Sequence, residues 1–100
     1  MYRLTIEYSG PVDPETFDRH YRDVHVPLVR ALPGLARFTT SKPRALGGEA
    51  PYLVAELWFE DGDAMKAAMK STEMAAAAAD AQTFEVERMV MFTGEVTEAG

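Results

Sequence analysis

Alternating apolar and polar side chains in separate segments, with helical spacing between them, predict an α+β domain of order β-α-β-β-α-β. Residues 2–8, YRLTIEY, put Tyr2, Leu4, Ile6 and Tyr8 on one side and Arg3, Thr5 and Glu7 on the other. Residues 52–60, YLVAELWFE, divide the same way, with Leu53, Ala55, Leu57 and Phe59 opposed to Tyr52, Val54, Glu56 and Trp58. Asp13-Pro14 supplies an N-cap followed by proline at the first helical position, so a helix begins near Pro14.

The first strand ends at Ser9-Gly10-Pro11. In the helix that follows, a rotation of about 100° per residue gathers Phe17, Tyr21, Val24, His25, Leu28 and Leu32 into one arc. Arg19, Arg22, Asp23 and Arg30 fall on the far side, and Leu32-Pro33-Gly34 ends the helix. Residues 35–42, LARFTTSK, form a second strand with partly polar alternation, and 43–51 a flexible hairpin connection around Gly47-Gly48. A second helix starts at Asp61 with Ala64, Met65, Ala68 and Met69 at helical spacing; Ser71 or Thr72 then caps a further helical stretch over 74–81. Residues 86–93, VERMVMFT, form the last strand, and 95–100 fray.

This order and these lengths match a ferredoxin-like split βαβ protomer, a four-stranded antiparallel sheet with its helices on one face. The third and fourth strands nevertheless carry apolar groups on both faces, as Leu57 and Trp58 or Met91 and Phe92 show. A second copy of the same sheet is expected to cover the face without helices, which makes the protein a homodimer. Glu56 and Arg88 are expected to form a cross-strand ion pair there, beside a polar layer with Arg3 and Glu7.

Composition narrows the function. The 100 residues make a single domain over 1–100, large enough for an ordinary core. There is no cysteine, hence no disulfide framework, thiol nucleophile or thiolate metal site. The net charge of −6 opposes a phosphate backbone, and the Lys and Arg form no basic stripe, so no nucleic-acid partner is expected. No apolar run is long enough to cross a bilayer and the first residues do not read as a signal peptide, so no membrane partner and a cytoplasmic location are expected.

The chemistry concentrates in HYRDVHVPLVRALPGL, residues 20–35, which holds both histidines and Pro27. Pro27 has no N–H for the Asp23 carbonyl, so the helix is expected to kink or restart beside His25. A break there lets one imidazole nitrogen face a cavity while the other bonds a freed backbone carbonyl, which fixes the tautomer. The alternative is a boundary histidine satisfied by freed backbone groups. Tyr21, one turn earlier, makes a candidate acid–base pair with His25, and equally a core residue. His20 lies about 140° from His25 on an ideal helix, which is not the i, i+4 pairing that binds a metal. No metal is expected, and His20 is assigned to the helix flank, against a partner or the end of the sheet. No nucleophile elbow surrounds a serine, and no Gly-rich phosphate loop is present.

The run FDRHYRDVHVPLVRALPGL, followed by RFTTSKP, LVAELWFED and ADAQTF, resembles the EthD family, named for ethyl tert-butyl ether degradation, over nearly the whole chain. The resemblance implies ferredoxin-like protomers paired as a dimeric α+β barrel, similar in architecture to muconolactone isomerases, polyketide cyclases, cofactor-free monooxygenases and haem-degrading enzymes. The histidine of the family's H-x-P motif corresponds to His25 and its helix aromatics to Phe17 and Tyr21; members often carry Tyr-Trp where this chain has His20-Tyr21. The expected function is a cofactor-independent enzyme doing acid–base chemistry (isomerisation, dehydration or decarboxylation) on a small hydrophobic or aromatic metabolite held between the first helix and the sheet, in catabolism or biosynthesis. His25 and Tyr21 are its expected catalytic pair, Phe17, Leu28 and Trp58 its substrate-binding walls, and no cofactor is expected. The alternatives are a non-catalytic accessory protein that supports an oxidative degradation system, and a haem-binding or reductase/monooxygenase-type member.

Overall fold

The computed structural model describes all 100 residues. The elements are β1 (Tyr2–Pro11), α1 (Pro14–His20), a π-helical turn (Tyr21–His25), α2 (Val26–Arg30), β2 (Leu35–Ser41), β3 (Leu53–Phe59), α3 (Gly62–Met69), α4 (Thr72–Ala81) and β4 (Val86–Glu95). The strands form one four-stranded sheet of order β2-β3-β1-β4, antiparallel at every pairing. The helices cover one face of it. The predicted ferredoxin-like protomer is what the chain forms.

Period-two alternation decides the core. Leu4, Ile6 and Tyr8 of β1 and Leu53, Ala55, Leu57 and Phe59 of β3 are buried beneath the helices. They meet Phe17, Tyr21, Val29 and Leu32 from the first helical layer and Met65, Ala68 and Ala77 from the second. Helix starts follow their caps: Asp13, Asp61 and Ser71 accept from the backbone N–H of Thr16, Ala64 and Met74.

β1 runs past Tyr8 and ends at Pro11, within the predicted Ser9-Gly10-Pro11 stop, pairing Ser9 with Arg88 and Pro11 with Val86 in unbroken register. Gly10 makes this possible: its φ is 64°, and a Cβ there would stand 2.7 Å from Glu87 Cβ.

The sheet face without helices carries Trp58 between the guanidinium groups of Arg3 and Arg37, 5.5 and 5.4 Å from the ring centre. The expected Glu56–Arg88 pair does not form. Glu56 sits on β3 and Arg88 on β4, with β1 between them, and Arg3 Nη1 reaches Glu56 Oε2 at 3.2 Å instead. Val90 and Phe92 on this face are 37% and 45% exposed. Thr5 Oγ1 and Trp58 Nε1 are buried here without a hydrogen-bond partner.

Candidate functional site

The predicted break at Pro27 takes a definite form: the turn before it is wide. The Val26 N–H donates to the Tyr21 carbonyl, five residues back rather than four. This turn reorganises the buried stripe. Phe17, Tyr21, His25 and Val29 recur every four residues and are all buried, whereas Val24, expected inside, is exposed. On a regular α-helix that spacing drifts by about 40° per step, and the wide turn takes up the drift.

It also reunites the two histidines. A turn closed by i→i+5 bonds advances less per residue than a regular α-turn, so the separation expected from a regular helix narrows enough for both rings to reach α4. His20 Nε2 lies 2.8 Å from Asp80 Oδ1, and His25 Nδ1 lies 2.9 Å from Asp80 Oδ2. His20 is therefore one arm of a cluster, not a flank residue turned towards a partner. Burial would raise the Asp80 carboxyl, but the hydrogen bonds from His20 and His25 bring it below its ordinary value.

His25 is 3% exposed. Burial pushes its imidazole below the ordinary histidine value, against the opposing hydrogen bond and charge of Asp80. A carboxylate accepts and does not donate, so Nδ1 carries the proton and Nε2 the lone pair. Phe84 packs edge-on against His25 at 4.8 Å and Tyr21 packs at 5.0 Å, holding the ring in place.

His25 borders a cavity of about 260 Å³ between the sheet and the α2 and α4 helices. Its other walls include Leu4, Ile6, Leu57, Val29 and Ala77, and its only other polar side chain of amide or charged type is Gln82. A second hollow of about 340 Å³ lies across Phe84, bordered by Asp13, Phe17, His20 and Glu85. That one is a groove lined mostly by polar residues. The two hollows meet the two ends of the His20–Asp80–His25 cluster.

The expected site residues therefore separate. Tyr21 is buried beside His25 but does not border the cavity, and burial, reinforced by the neighbouring Tyr8, drives its pKa far above the ordinary tyrosine value. Tyr8, which does border the cavity, is pushed up to about 12 by burial. Phe17 borders the polar groove, and Leu28, half-buried against the core, does not border the cavity. Trp58 is on the opposite sheet face, as its pairing with Arg3 and Arg37 requires, and cannot wall a pocket containing His25.

Asp80 and Gln82 were not among the expected residues. One signal for Asp80 is present in the chain: it stands in the last turn of α4, where a negative charge opposes the helix dipole and no basic residue offsets it. Such a local misfit is expected at functional or strained positions. No cluster of three or more His, Asp or Glu side chains is arranged to hold a metal ion. The cavity beside His25 is slightly smaller than the roughly 300–1,000 Å³ typical of drug-sized ligand sites.

Comparison with known proteins agrees with this fold. An uncharacterized 11.0 kDa protein from the thcB-thcC intergenic region of Rhodococcus erythropolis is 43% identical over 100 residues, covering 97% of each chain. The crystal structure of an ethyl tert-butyl ether degradation (EthD) family protein of Bacillus halodurans is 30% identical, with a TM-score of 0.87 over 97% of this chain and 99% of that one. The fold is shared, at 14% identity, with SnoaB, a cofactor-independent oxygenase from Streptomyces nogalater, with a TM-score of 0.73 over 98% of this chain and 94% of that one. The model of the EthD domain matches residues 9–85, and the chain belongs to the EthD family.

Proposed function

We propose that the protein is a cofactor-independent enzyme that moves a proton on a small, largely apolar metabolite bound in the cavity beside His25. One observation carries this reading: a neutral imidazole, oriented by a carboxylate at 2.9 Å, borders an apolar cavity. His25 Nε2 takes a proton from a carbon or hydroxyl of the ligand, leaving the electron pair on the ligand as an enolate or alkoxide. The imidazolium so formed is stabilised by Asp80 and returns the proton to a different atom. The balance closes without an oxidant, as in an isomerisation or dehydration. Asp80 is the orienting residue, and Tyr21 packs the ring without touching the ligand.

The working unit is a homodimer formed through the sheet face without helices. That face carries Arg3, Arg37 and Arg88 together with Glu7 and Glu56, around exposed Val90 and Phe92. A two-fold axis sets this one patch against its own copy and covers the apolar groups. No helix is long and apolar enough to cross a membrane.

The test follows hydrogen–deuterium exchange at carbon in D₂O by NMR, over a panel of small ketones and enols incubated with the protein. Exchange that disappears in His25→Gln and persists in His20→Gln supports the reading. Ligands that bind without exchange in the wild type would leave the protein as a non-catalytic carrier.

A further inference from the structure

The cavity is polarised along its length. The first helical layer leads from His25 to Val29 and Leu32, α4 leads from Gln82 and Ala81 back to Ala77 and Met74, and β1 leads from Tyr8 to Ile6 and Leu4. Each begins with a polar side chain and ends with apolar ones. Those beginnings lie together: Phe84 touches both His25, at 4.8 Å, and Tyr8, at 5.6 Å, and Asp80 joins His25 to the end of α4. The helical paths rise about 10 Å, and the strand path about 13 Å. The cavity is therefore a narrow slot with a polar head and an apolar length. Met89 and Met91, 42% and 52% exposed, line its open side beside α4.

No Lys, Arg, Asp or Glu borders the slot. An anion entering it loses hydration without meeting a cation, and it approaches the Asp80 carboxylate behind His25. A cation likewise finds no carboxylate in contact, because both Asp80 oxygens are engaged by imidazoles. A cavity of about 150 Å³ holds benzene, so 260 Å³ drawn out over this length takes a chain or one substituted ring.

We propose that the ligand is an uncharged, elongated amphiphile whose carbonyl, enol or hydroxyl head meets His25 and Gln82 while its apolar length runs towards Leu4 and Leu32. This deepens the reading of the same site as an acid–base centre and rests on it for the head group's place at His25. Gln82, exposed at the lip of the polar end, selects for the head. A neutral head also favours isomerisation or dehydration over decarboxylation, which requires a carboxylate substrate.

Titration calorimetry at pH 7.5 with 2-pentanone, 2-octanone, octanoate and octylamine tests this. The expected result is that 2-octanone binds at least tenfold more tightly than octanoate or octylammonium. It also exceeds 2-pentanone by roughly three- to fourfold per added methylene. Gln82→Leu, a change at an exposed helix end, is expected to weaken 2-octanone at least threefold. Octanoate binding as tightly as 2-octanone, no gain with chain length, or no binding of any ketone overturns the proposal, and unchanged 2-octanone affinity in Gln82→Leu overturns the role of Gln82. Deuterium exchange beside the carbonyl, followed in the same samples, separates the two readings. Selective ketone binding without exchange supports the ligand class and removes the catalyst; exchange with equal binding of octanoate removes the ligand class and keeps the catalyst.

Discussion

His20 and His25, five residues apart on one helical segment, address the two oxygens of the same carboxylate, that of Asp80, at 2.8 and 2.9 Å. The wide turn between them makes this possible. One imidazole faces a polar groove, the other an apolar slot, and a single charge from α4 fixes both.

Replacing Asp80 tests that arrangement directly. In Asp80→Asn the charged acceptor is lost, so the His25 tautomer is no longer locked and its pKa falls further below the ordinary value. Nitrogen-15 NMR of the histidine rings is expected to show a protonated Nδ1 at His25 in the wild type and a tautomer mixture in the variant. Asp80→Ala also removes the charged hydrogen bonds, with an expected loss of about 1.5–3 kcal/mol in urea unfolding. An unchanged His25 spectrum in Asp80→Asn would show that the carboxylate does not set the tautomer.

Stability is expected to fall with acid in two stages. The folded pKa of His25 lies below its unfolded value of 6.5, so as the pH drops through that value the unfolded chain takes up the proton first. The stabilisation is therefore present above about pH 6.5 and is lost as the pH falls towards the folded value. Asp80, also depressed, stabilises above its unfolded value of 3.8 and loses that contribution only at still lower pH. Urea midpoints measured from pH 7.5 to 5 should decline in the wild type and flatten in His25→Gln. A midpoint that rises over this interval contradicts the assignment.

The sheet face without helices should be where two copies meet. Phe92→Asp puts a charge among exposed apolar groups beside Val90, and sedimentation velocity is expected to show a dimer in the wild type and a monomer in the variant. The His25–Asp80 resonances should be unchanged, because they arise on the other side of the sheet. A wild-type monomer at tens of micromolar would remove the pairing.

Much of the fold was readable because it follows from local rules. The alternation of Leu4, Ile6 and Tyr8 against Arg3, Thr5 and Glu7 assigns β1 to a half-buried strand without knowledge of its neighbours. Asp13 and Ser71 are recognisable caps because a capping side chain acts within three residues of itself. The pocket wall was only partly readable. Trp58 and Leu57 are adjacent apolar residues on one strand, and alternation separates them without saying which side the helices take. The partner of Glu56 was missed for the same reason: whether Arg3 or Arg88 stands beside it depends on which strand lies next to β3.

By itself, the sequence determined the order of elements, the helix starts, the strand faces and the break in the first helix beside His25, since periodicity, capping and the missing N–H of Pro27 all act over a few residues. Tertiary structure decided the rest. It placed Asp80, far along the chain, between two histidines that a regular helix would have held apart. It gave His20 a part in the site and left Trp58 on the opposite face. The physical reason is that local spacing sets where a side chain points along its own element, whereas the wide turn, the strand order and the docking of α4 set what it points at.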